Sequence, residues 1–318
     1  MPPPIGGVSM HIRRLQRIVN SNSNFDCAVF DLGRLTFYKS NGEKASIIAG
    51  IIYYFQCHLI HLHISHSFKL FIGRISKCLN KKIVFTLHNN REINTSSTIH
   101  LKSLADIVIY VSKDFTENES GKVVYLPAYL PFSEKDYSIK SDFTELKAYK
   151  NVFVAISSHP PSNPMLVEGR DIYGFDLLLK GYLQNQLPDS VLVLIDPNGT
   201  MNKVYESEIA YLNSIGRRVV YFHHPVDFQE LLKITTIFIR PTRSDGDSIA
   251  IREALDLGVN VLASDCVVRP DGVYVYETEN SSAIFSTISN NFVKISGRKY
   301  KQEDFSLPLI AIYHSLIG

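Results

Sequence analysis

Short apolar runs of the kind that form buried strands alternate along most of the chain with segments whose apolar positions have helical spacing. In the first half, the predicted strands are Asp26–Leu32, Leu59–Ile64, Lys82–Leu87, Ile107–Val111 and Val123–Leu126. After a polar stretch at 133–150 the pattern restarts, with strands predicted at Val152–Ile156, Ser190–Ile195, Val219–Phe222, Thr236–Arg240 and Asn260–Ser264. The clearest predicted helices are Phe175–Gln184, Tyr205–Ile215 and Asp227–Lys233. Strands that alternate with helices of this length predict parallel sheets joined by right-handed crossovers.

The restart of the pattern near residue 150 predicts two domains, and a chain of 318 residues is long enough for both. We expect an α/β fold of two Rossmann-like doubly wound domains that face a cleft, the first at 1–148 and the second at 149–296. The remaining segment, 297–318, contains a predicted helix at Phe305–Ile317 that could return to the first domain. Ligands bind such sheets at the carboxyl ends of the strands.

The composition is that of an ordinary globular protein, with 45% hydrophobic and 20% charged residues. A net charge of only +2, and aromatic residues that do not interleave with basic runs, argue against nucleic-acid binding. The four cysteines include no Cys-x-x-Cys pair, and the first residues lack the basic and apolar regions of a secretory signal. We therefore expect a protein of the reducing cytoplasm.

The longest apolar stretch, Ala45–Ile64, is interrupted by Gln56, His58, His61 and His63. Such a stretch predicts a buried helix that runs into a buried strand, and not a transmembrane helix. Any contact with a membrane is therefore expected to be peripheral.

The segment Arg240–Asp265 carries the most specific pattern, which predicts a strand, a loop, a helix and a second strand. Ser248 is a good N-cap for a helix that begins at Ile249, and Gly258 is a good residue to end it. The backbone amides of Gly246, Ser248 and Ile249 are then expected to be free at the positive end of the helix dipole. Such an end is a seat for phosphate.

Two carboxylates, Asp245 and Glu253, flank the start of this helix, and carboxylates accept hydrogen bonds well from sugar hydroxyls. With Pro241 and Thr242 ahead of them, they resemble the donor-site signature of family 4 glycosyltransferases, which pairs two acidic residues at this spacing. Asp245 replaces the usual Glu, and Ser248 replaces a Gly. The resemblance implies that Asp245 holds the donor sugar and Glu253 the ribose of the nucleotide.

Two further features resemble the same family. Gly6 and Gly7 stand before a predicted helix, as does the family's glycine loop, and His88 follows a strand where the family often carries a histidine beside the donor sugar. The resemblance covers nearly the whole chain and implies the GT-B fold. It also implies that Gly6, Gly7 and His88 complete the site from the first domain.

The chain departs from the family at the cation that neutralises the leaving diphosphate. The family usually supplies a Lys from the loop after the first strand of the second domain, but Tyr173 stands there and no Lys occurs between positions 151 and 179. Diphosphate needs cationic or amide partners. The candidates are Arg170, Arg240 and Arg243.

A second departure lies at the start of the chain. The family's first domain normally opens with a central strand that leads into the glycine loop, whereas this sequence begins Met-Pro-Pro-Pro, already in the loop. Two expectations stay open: either the start site has been set too late, or the first sheet lacks this strand.

Two other constellations are set aside. Four histidines lie near Cys57 in the sequence, at His58, His61, His63 and His66, but no carboxylate or second cysteine completes a ligand set, so no metal site is predicted.

The sequence Ser157-Ser158-His159 follows a strand and is expected to lack a partnered acid, which argues against serine hydrolase chemistry.

The resemblance implies a retaining, metal-independent transfer of a sugar from a nucleotide donor, with no cofactor. The residues do not identify the nucleotide base, and UDP is a guess over GDP as the carrier. The expected acceptor is a lipid-linked oligosaccharide at the inner membrane face, in surface polysaccharide, capsule or O-antigen synthesis. Two alternatives remain open. One is a non-catalytic GT-B module that binds sugar nucleotides or serves as a scaffold, and the other is a sugar-nucleotide epimerase.

Overall fold

The computed structural model describes residues 7–22, 24–88, 92–112, 122–133, 139–161, 163–185, 187–291, 300 and 303–318. The chain divides into two compact units. Unit 1 consists chiefly of Val8–Phe132 and Asp304–Gly318, and unit 2 of Ser133–Glu303. Within the described ranges, no helix is long and apolar enough to cross a membrane.

Unit 1 is built around a parallel sheet with helices packed on it. Its helices are α1 (Gly7–Asn22), α2 (Ile47–Gln56), α3 (Phe68–Cys78), α4 (Ser96–Leu104) and α10 (Ser306–Ile317). Its strands are β1 (Val29–Asp31), β2 (Thr36–Tyr38), β3 (Lys44–Ala45), β4 (Leu59–Leu62), β5 (Lys82–Leu87), β6 (Ile107–Tyr110) and β7 (Val123–Tyr125). The parallel sheet has the order β4-β5-β6-β7.

Both faces of this sheet are covered, because successive side chains of a strand point to opposite faces. Val84 and Ile109 pack with Val19 of α1 and Leu309 of α10 in one cluster. Residues of alternate parity, such as Phe85, pack with Leu101 and other residues in a second cluster. The C-terminal helix is therefore part of the core of unit 1.

The prediction that Asp26–Leu32 forms the first strand of the parallel sheet is wrong. Only Val29–Asp31 is a strand, and it pairs with β2 in a separate antiparallel sheet of the order β1-β2-β3. The chain reverses between β1 and β2 through a turn in which Leu35 has a φ of 49°. A connection this short can join only antiparallel strands. By contrast, the helix and strand predicted within 45–64 are present as α2 and β4. The expected burial of the helix is wrong, because Gly50 is its buried residue whereas Ile48 and Phe55 are 70% and 60% exposed.

The strand expected to be missing before α1 falls at residues 1–6, which lie outside the described ranges. Within the described part of unit 1, β4 is an edge of the parallel sheet.

Unit 2 contains a six-stranded parallel sheet. Its strands are β8 (Asn151–Ile156), β11 (Ser190–Ile195), β12 (Val219–Phe222), β13 (Ile237–Arg240), β14 (Asn260–Ser264) and β15 (Val273–Tyr276), and a separate ribbon pairs β9 (Leu166–Val167) with β10 (Arg170–Asp171). The helices are α5 (Phe175–Gln184), α6 (Asn202–Ser214), α7 (Phe228–Leu232), α8 (Ile249–Asp256) and α9 (Ser281–Asn291). The predicted strands of this half are confirmed, and β15 is an additional one.

The strand order of this sheet is β12-β11-β8-β13-β14-β15. Counted from β8, it is the order 3-2-1-4-5-6 of a doubly wound Rossmann sheet, in which the direction of winding switches between the first and fourth strands. The burial pattern follows from it. Phe153 packs with residues of α5, α6 and α9, whereas Val152 and Val154 pack with residues of α7 and α8.

Gly174 is the N-cap of α5 and allows the preceding loop to approach the end of β13. Its φ is 70°, in the left-handed region that favours glycine, and a Cβ built on it would lie against the carbonyl oxygen of Pro241. Gly169 has a similar φ of 75°, but a Cβ there would meet nothing within 4 Å.

We expect Gly174→Ala to lower the free energy of unfolding by about 1–3 kcal/mol more than Gly169→Ala. Both variants carry the backbone strain, about 1–2 kcal/mol, and only the first carries the clash. Chemical denaturation of the two variants and the wild type measures the difference. Equal losses would show that the contact with Pro241 is relaxed at no cost.

Candidate functional site

The ends of β8 and β13 define the candidate site, because these neighbouring strands lie at the switch point of the unit 2 sheet. Ligands of doubly wound sheets bind outside the carboxyl ends of the strands at this point. β8 ends at Ile156 and β13 at Arg240, and the two ends are joined by a hydrogen bond of 3.0 Å from Arg240 Nη1 to the Ile156 carbonyl. Arg240, a predicted donor-binding residue, therefore lies at the switch point and bonds the two strand ends there.

A buried ion cluster occupies this edge of the sheet. The carboxylate of Asp245 receives two hydrogen bonds from Arg240, Nε to Oδ2 at 3.0 Å and Nη2 to Oδ1 at 3.1 Å. Arg269 donates to it from the other direction, Nη1 to Oδ2 at 2.9 Å. Side-chain exposure is 9% for Arg240, 10% for Asp245 and 2% for Arg269. Two guanidinium groups thus share one buried carboxylate.

Both oxygens of Asp245 are occupied within the protein. Besides the arginines, the hydroxyl of Thr242 donates to Oδ2 at 3.3 Å, and the Gly246 amide donates to Oδ1 at 3.1 Å. Burial favours the protonated form of a carboxyl group, but Arg240 and Arg269 hold the pKa of Asp245 far below its ordinary value. The carboxylate is therefore ionised and fixes the two arginines. Its contact with a donor sugar stays a prediction.

Tyr173, at the position to which the resemblance assigns a lysine, lies beside the cluster. The guanidinium carbon of Arg240 is 5.1 Å from the centroid of the Tyr173 ring, within the range of a cation–π interaction. A positive charge is therefore present in space next to position 173, although it comes from β13 and not from the loop.

The loop that carries Tyr173 is fixed by the buried carboxylate of Asp171. It accepts hydrogen bonds from the amides of Tyr173 (2.8 Å) and Phe175 (3.1 Å), and from the hydroxyl of Tyr205 (2.8 Å). His159 Nε2 is 3.0 Å from its Oδ1. Burial raises the pKa of a carboxyl group, but the hydrogen bonds from His159 and the others leave the pKa of Asp171 below its ordinary value.

The expectation that His159 lacks a partnered acid is therefore wrong. The β9–β10 ribbon between the two residues folds back and brings Asp171 to His159. Serine hydrolase chemistry gains no support from this pair. The amide of Met165 donates to His159 Nδ1 at 3.0 Å, and the hydroxyl of Ser157 bonds to Asp196 at 3.2 Å. The nitrogen that would serve as the base in a triad is thus already occupied.

Arg243, a predicted donor-binding residue, directs all five of its N–H groups to protein acceptors. It bonds Asp176 with Nη1 and Nη2 at 2.8 and 2.7 Å, Glu279 with Nε and Nη2 at 2.6 and 3.1 Å, and the Asp171 carbonyl with Nη1. The third predicted arginine, Arg170, is more exposed and pairs with Glu168 and Glu279. Arg243 therefore connects α5 to the segment after β15 in this structure. Because all five N–H groups of Arg243 already donate to protein acceptors, none is left for the predicted hydrogen bond to diphosphate.

Helix α8 begins at Ile249, as predicted, with Ser248 as its N-cap; the Ser248 hydroxyl oxygen accepts from the Ile251 amide at 3.5 Å. The amide of Gly246 is not free as expected, because the carboxylate of Asp245 next to it folds back onto it. Glu253 is buried within the helix at 3% exposure. Its predicted bond to a ribose stays a prediction.

The remaining predicted residues belong to the start of the chain and to β5. Gly7 begins α1, and Gly6 lies outside the described residues. His88 directly follows β5 in unit 1, where it contacts two other histidines, His11 and His63. Burial lowers the pKa of His88 well below its ordinary value, and the nearby His11 adds to the effect. It is therefore a neutral imidazole at neutral pH.

Two Rossmann-like units, each with a parallel sheet, define the GT-B fold, as predicted. None of the family models compared with the chain matches it, and no curated protein does either. Solved structures do match. HepE from Anabaena, in complex with UDP-glucose, is similar with a TM-score of 0.63 at 14% identity, over 99% of this chain and 96% of HepE.

Two other solved structures give the same result. Sucrose-phosphate synthase from Thermosynechococcus elongatus has a TM-score of 0.63 at 15% identity, over 85% of this chain and 76% of the synthase. A glycosyltransferase from Rickettsia africae has a TM-score of 0.56 at 16% identity, over 86% of this chain and 80% of that enzyme. Identities this low establish the fold alone, so membership of family 4 stays a prediction.

We expect Asp245→Asn to lower the free energy of unfolding at pH 7 by about 3–5 kcal/mol, because it leaves two buried guanidinium groups without a counter-charge. The folded-state pKa of Asp245 lies below the unfolded-state value of about 3.9. Its contribution is therefore present above about pH 4 and is lost as the pH falls further. Denaturation of wild type and variant at pH 7 and pH 3 should show the difference shrinking.

Asp271→Asn is the matched control, since Asp271 is exposed and lies outside the cluster. A loss at Asp245 no larger than at Asp271 would mean that the two arginines find other partners.

Proposed function

We propose that this chain is a glycosyltransferase that moves a sugar from a nucleotide-sugar donor to a hydroxyl group of a growing glycan. The observation that carries the proposal is Arg240. It lies at the switch point of a GT-B fold, beside the position where the resembling family carries its lysine. HepE, a solved protein of this fold, is in complex with UDP-glucose, which supports a nucleotide-sugar donor and UDP as its carrier.

The charge at the site suits a diphosphate. Arg240 and Arg269 together carry two positive charges, and Asp245 neutralises one of them. Arg240 uses three of its five N–H groups within the protein, which leaves one on each terminal nitrogen for a ligand. In a buried site, fixed donors stabilise the charge that develops on a leaving group more strongly than water does. Arg269 is more deeply buried and acts by positioning.

The start of α8 supplies the second element. Its dipole and the amides of Ser248 and Ile249 favour an anion, and Glu253 within the helix is the proposed partner of the ribose. We propose that donor binding shifts one oxygen of Asp245 from an arginine to a sugar hydroxyl. The transfer is proposed to retain the anomeric configuration and to proceed without a metal, with the arginines stabilising the leaving diphosphate.

We expect Arg240→Lys to weaken UDP binding by about tenfold or more, a loss of about 1.4 kcal/mol. Lysine keeps a positive charge next to Asp245, but it cannot reproduce the planar fork that bonds carboxylate and phosphate together. Calorimetric titration with UDP measures the affinity, and thermal unfolding confirms that the variant is folded. Arg218→Lys is the control, because Arg218 is a partly exposed arginine of unit 2 that pairs with Glu145.

Unchanged affinity in Arg240→Lys would contradict the proposed site. Incubation of the wild-type protein with UDP-sugars and lipid-linked acceptors distinguishes the alternative functions. Release of UDP that depends on acceptor supports the transferase. Binding without release under any acceptor favours a non-catalytic module, and interconversion of two donors favours an epimerase.

A lipid-linked acceptor requires contact with a membrane, and an exposed apolar surface of unit 1 supports such contact. This surface, the isoleucine face, consists of Ile47, Ile48, Ile51, Ile52 and Phe55 of α2 with Phe68 and Phe71 of α3. The two helices are joined by a hydrogen bond of 2.7 Å between the hydroxyls of Tyr54 and Ser76. Exposed apolar patches on a protein surface mark contacts with other proteins or with membranes.

Charge also favours a lipid partner for the isoleucine face. Neither α2 nor α3 contains an acidic residue, and Arg74 and Lys77 of α3 are exposed. Basic residues beside an apolar helical face attract the anionic inner leaflet of a membrane. We therefore propose peripheral binding at the inner face of the membrane, as part of surface polysaccharide synthesis.

We expect Ile48→Asp to abolish most of the sedimentation of the protein with vesicles that contain anionic phospholipid, because it places a charge at the centre of the isoleucine face. Ile48 is 70% exposed, so the substitution should leave folding intact. Val204→Asp is the control, at an exposed apolar residue of unit 2. Equal vesicle binding by the two variants would exclude the isoleucine face as the membrane contact.

A further inference from the structure

Unit 1 brings three histidines together that are far apart in the sequence. His63 directly follows β4 and His88 directly follows β5, and because these strands are parallel neighbours, the two residues lie at the same edge of the sheet. His11 of α1 reaches the same place, with ring centroids 5.2 Å from His63 and 5.4 Å from His88. One nitrogen of each ring lies within 4.8 Å of the other two.

The hydrogen bonds of His11 determine its tautomer. Its Nδ1 is 2.7 Å from the carbonyl oxygen of Ala128, which can only accept, so Nδ1 carries the proton. Nε2 therefore presents a lone pair, and this atom is buried with no hydrogen-bond partner in the described structure. Histidines that bind metals commonly donate their other N–H to a backbone carbonyl in this way, which fixes the ring and raises its basicity.

The other two rings meet directly. His63 Nδ1 and His88 Nε2 are 2.9 Å apart, so one of them donates to the other. Burial lowers the pKa of His11 to about 4 and lowers the pKa values of His63 and His88 well below the ordinary range. All three rings are therefore neutral at neutral pH, which is the form that binds metals. His61 nearby has both nitrogens bonded to hydroxyls, those of Tyr313 and Thr86, and is not part of the group.

We propose that His11, His63 and His88 bind a divalent transition-metal ion of the Zn²⁺ class. Three imidazole ligands suit such ions, whereas Mg²⁺ and Ca²⁺ prefer oxygen. Tetrahedral Zn²⁺ with bonds of about 2.0–2.1 Å places its ligand atoms roughly 3.3 Å apart, so the rings need to move by less than about 1.5 Å. The fourth position is left for water or another ligand.

Binding requires no net loss of protons from the protein. When the ion takes the two facing nitrogens of His63 and His88, the proton between them moves to the other nitrogen of the ring that held it. Arg14, one turn along α1 from His11, is a buried positive charge that opposes the ion. The site therefore has three good ligands but an unfavourable neighbouring charge. We expect Zn²⁺ to bind less tightly than it binds to sites with carboxylate or thiolate ligands.

This proposal is independent of the proposed transferase function, and it gives His88 a role different from the predicted one beside the donor sugar. The sequence did not indicate the site because His11 lies 52 positions before His63, on a helix where a lone histidine has no pattern to mark it. The histidines that the sequence does group together, at 58, 61, 63 and 66, supply only one of the three proposed ligands.

Zn²⁺ titration of the full chain, after removal of metals with a chelator, tests the site. The variants are His11→Asn and His88→Asn. In His11→Asn the amide nitrogen still donates to Ala128, but the atom at the position of Nε2 is lost. Competition with a fluorescent zinc chelator should show one ion per wild-type chain and at least about tenfold weaker binding in each variant. Co²⁺ bound to the wild type should give the visible absorption of a tetrahedral site.

His100→Asn is a matched control. His100 also bonds a backbone carbonyl through Nδ1, that of Ser96 at 2.7 Å, but it is exposed on α4 and lies outside the group. It should bind Zn²⁺ as the wild type does. The proposal is overturned if the wild type binds no stoichiometric Zn²⁺, or if both variants bind as tightly as His100→Asn. Should His11→Asn fail to fold, the comparison of His88→Asn with His100→Asn decides.

Discussion

The carboxylate of Asp245, held between Arg240 and Arg269, is the interaction on which the organisation of the candidate site depends. It connects three strands. Arg240 ends β13 and bonds the last carbonyl of β8, and Arg269 bonds the carbonyl of Ser264, the last residue of β14. One carboxylate thereby fixes the carboxyl ends of the strands on both sides of the switch point. Without it, two positive charges would lie buried side by side at the edge where the sheet presents a ligand site.

A cluster of this kind is not explained by stability. Taking ions out of water is costly, and apolar residues of similar volume often give equal or greater stability than a buried ion pair. What the cluster provides is a positive charge that stands in a fixed position before any ligand arrives. Catalysis by charge stabilisation requires such preorganisation. Hydrogen-bond donors that must reorient during the reaction stabilise the transition state less, because their reorientation itself costs free energy. The excess of one positive charge over Asp245 is therefore better explained by an anionic ligand than by folding.

The sequence predicted much of this molecule, and the exceptions have physical reasons. Parallel strands buried on both faces leave long apolar runs in the sequence, so the strands of unit 2 could be predicted from those runs. The N-cap at Ser248 could be predicted because serine is a favoured residue at the start of a helix. The strand at 26–32 could not be assigned to its sheet, because three residues carry no signal of the partner they choose. Arg269 was not foreseen as a site residue, and neither was the pairing of His159 with Asp171. Each depends on a loop that folds back, which no periodicity records.

Tyr173 stands at the position to which the resemblance to family 4 assigns a lysine, and its surroundings show how a positive charge can be present there without that lysine. A lysine in a loop brings a charge on a flexible stem, and ordering that stem costs conformational entropy. Here the charge comes from the end of a strand, is bonded on two sides by Asp245 and Ile156, and lies over the ring of Tyr173. The aromatic residue at position 173 therefore has a structural role of its own. It forms the surface against which the guanidinium of Arg240 is held.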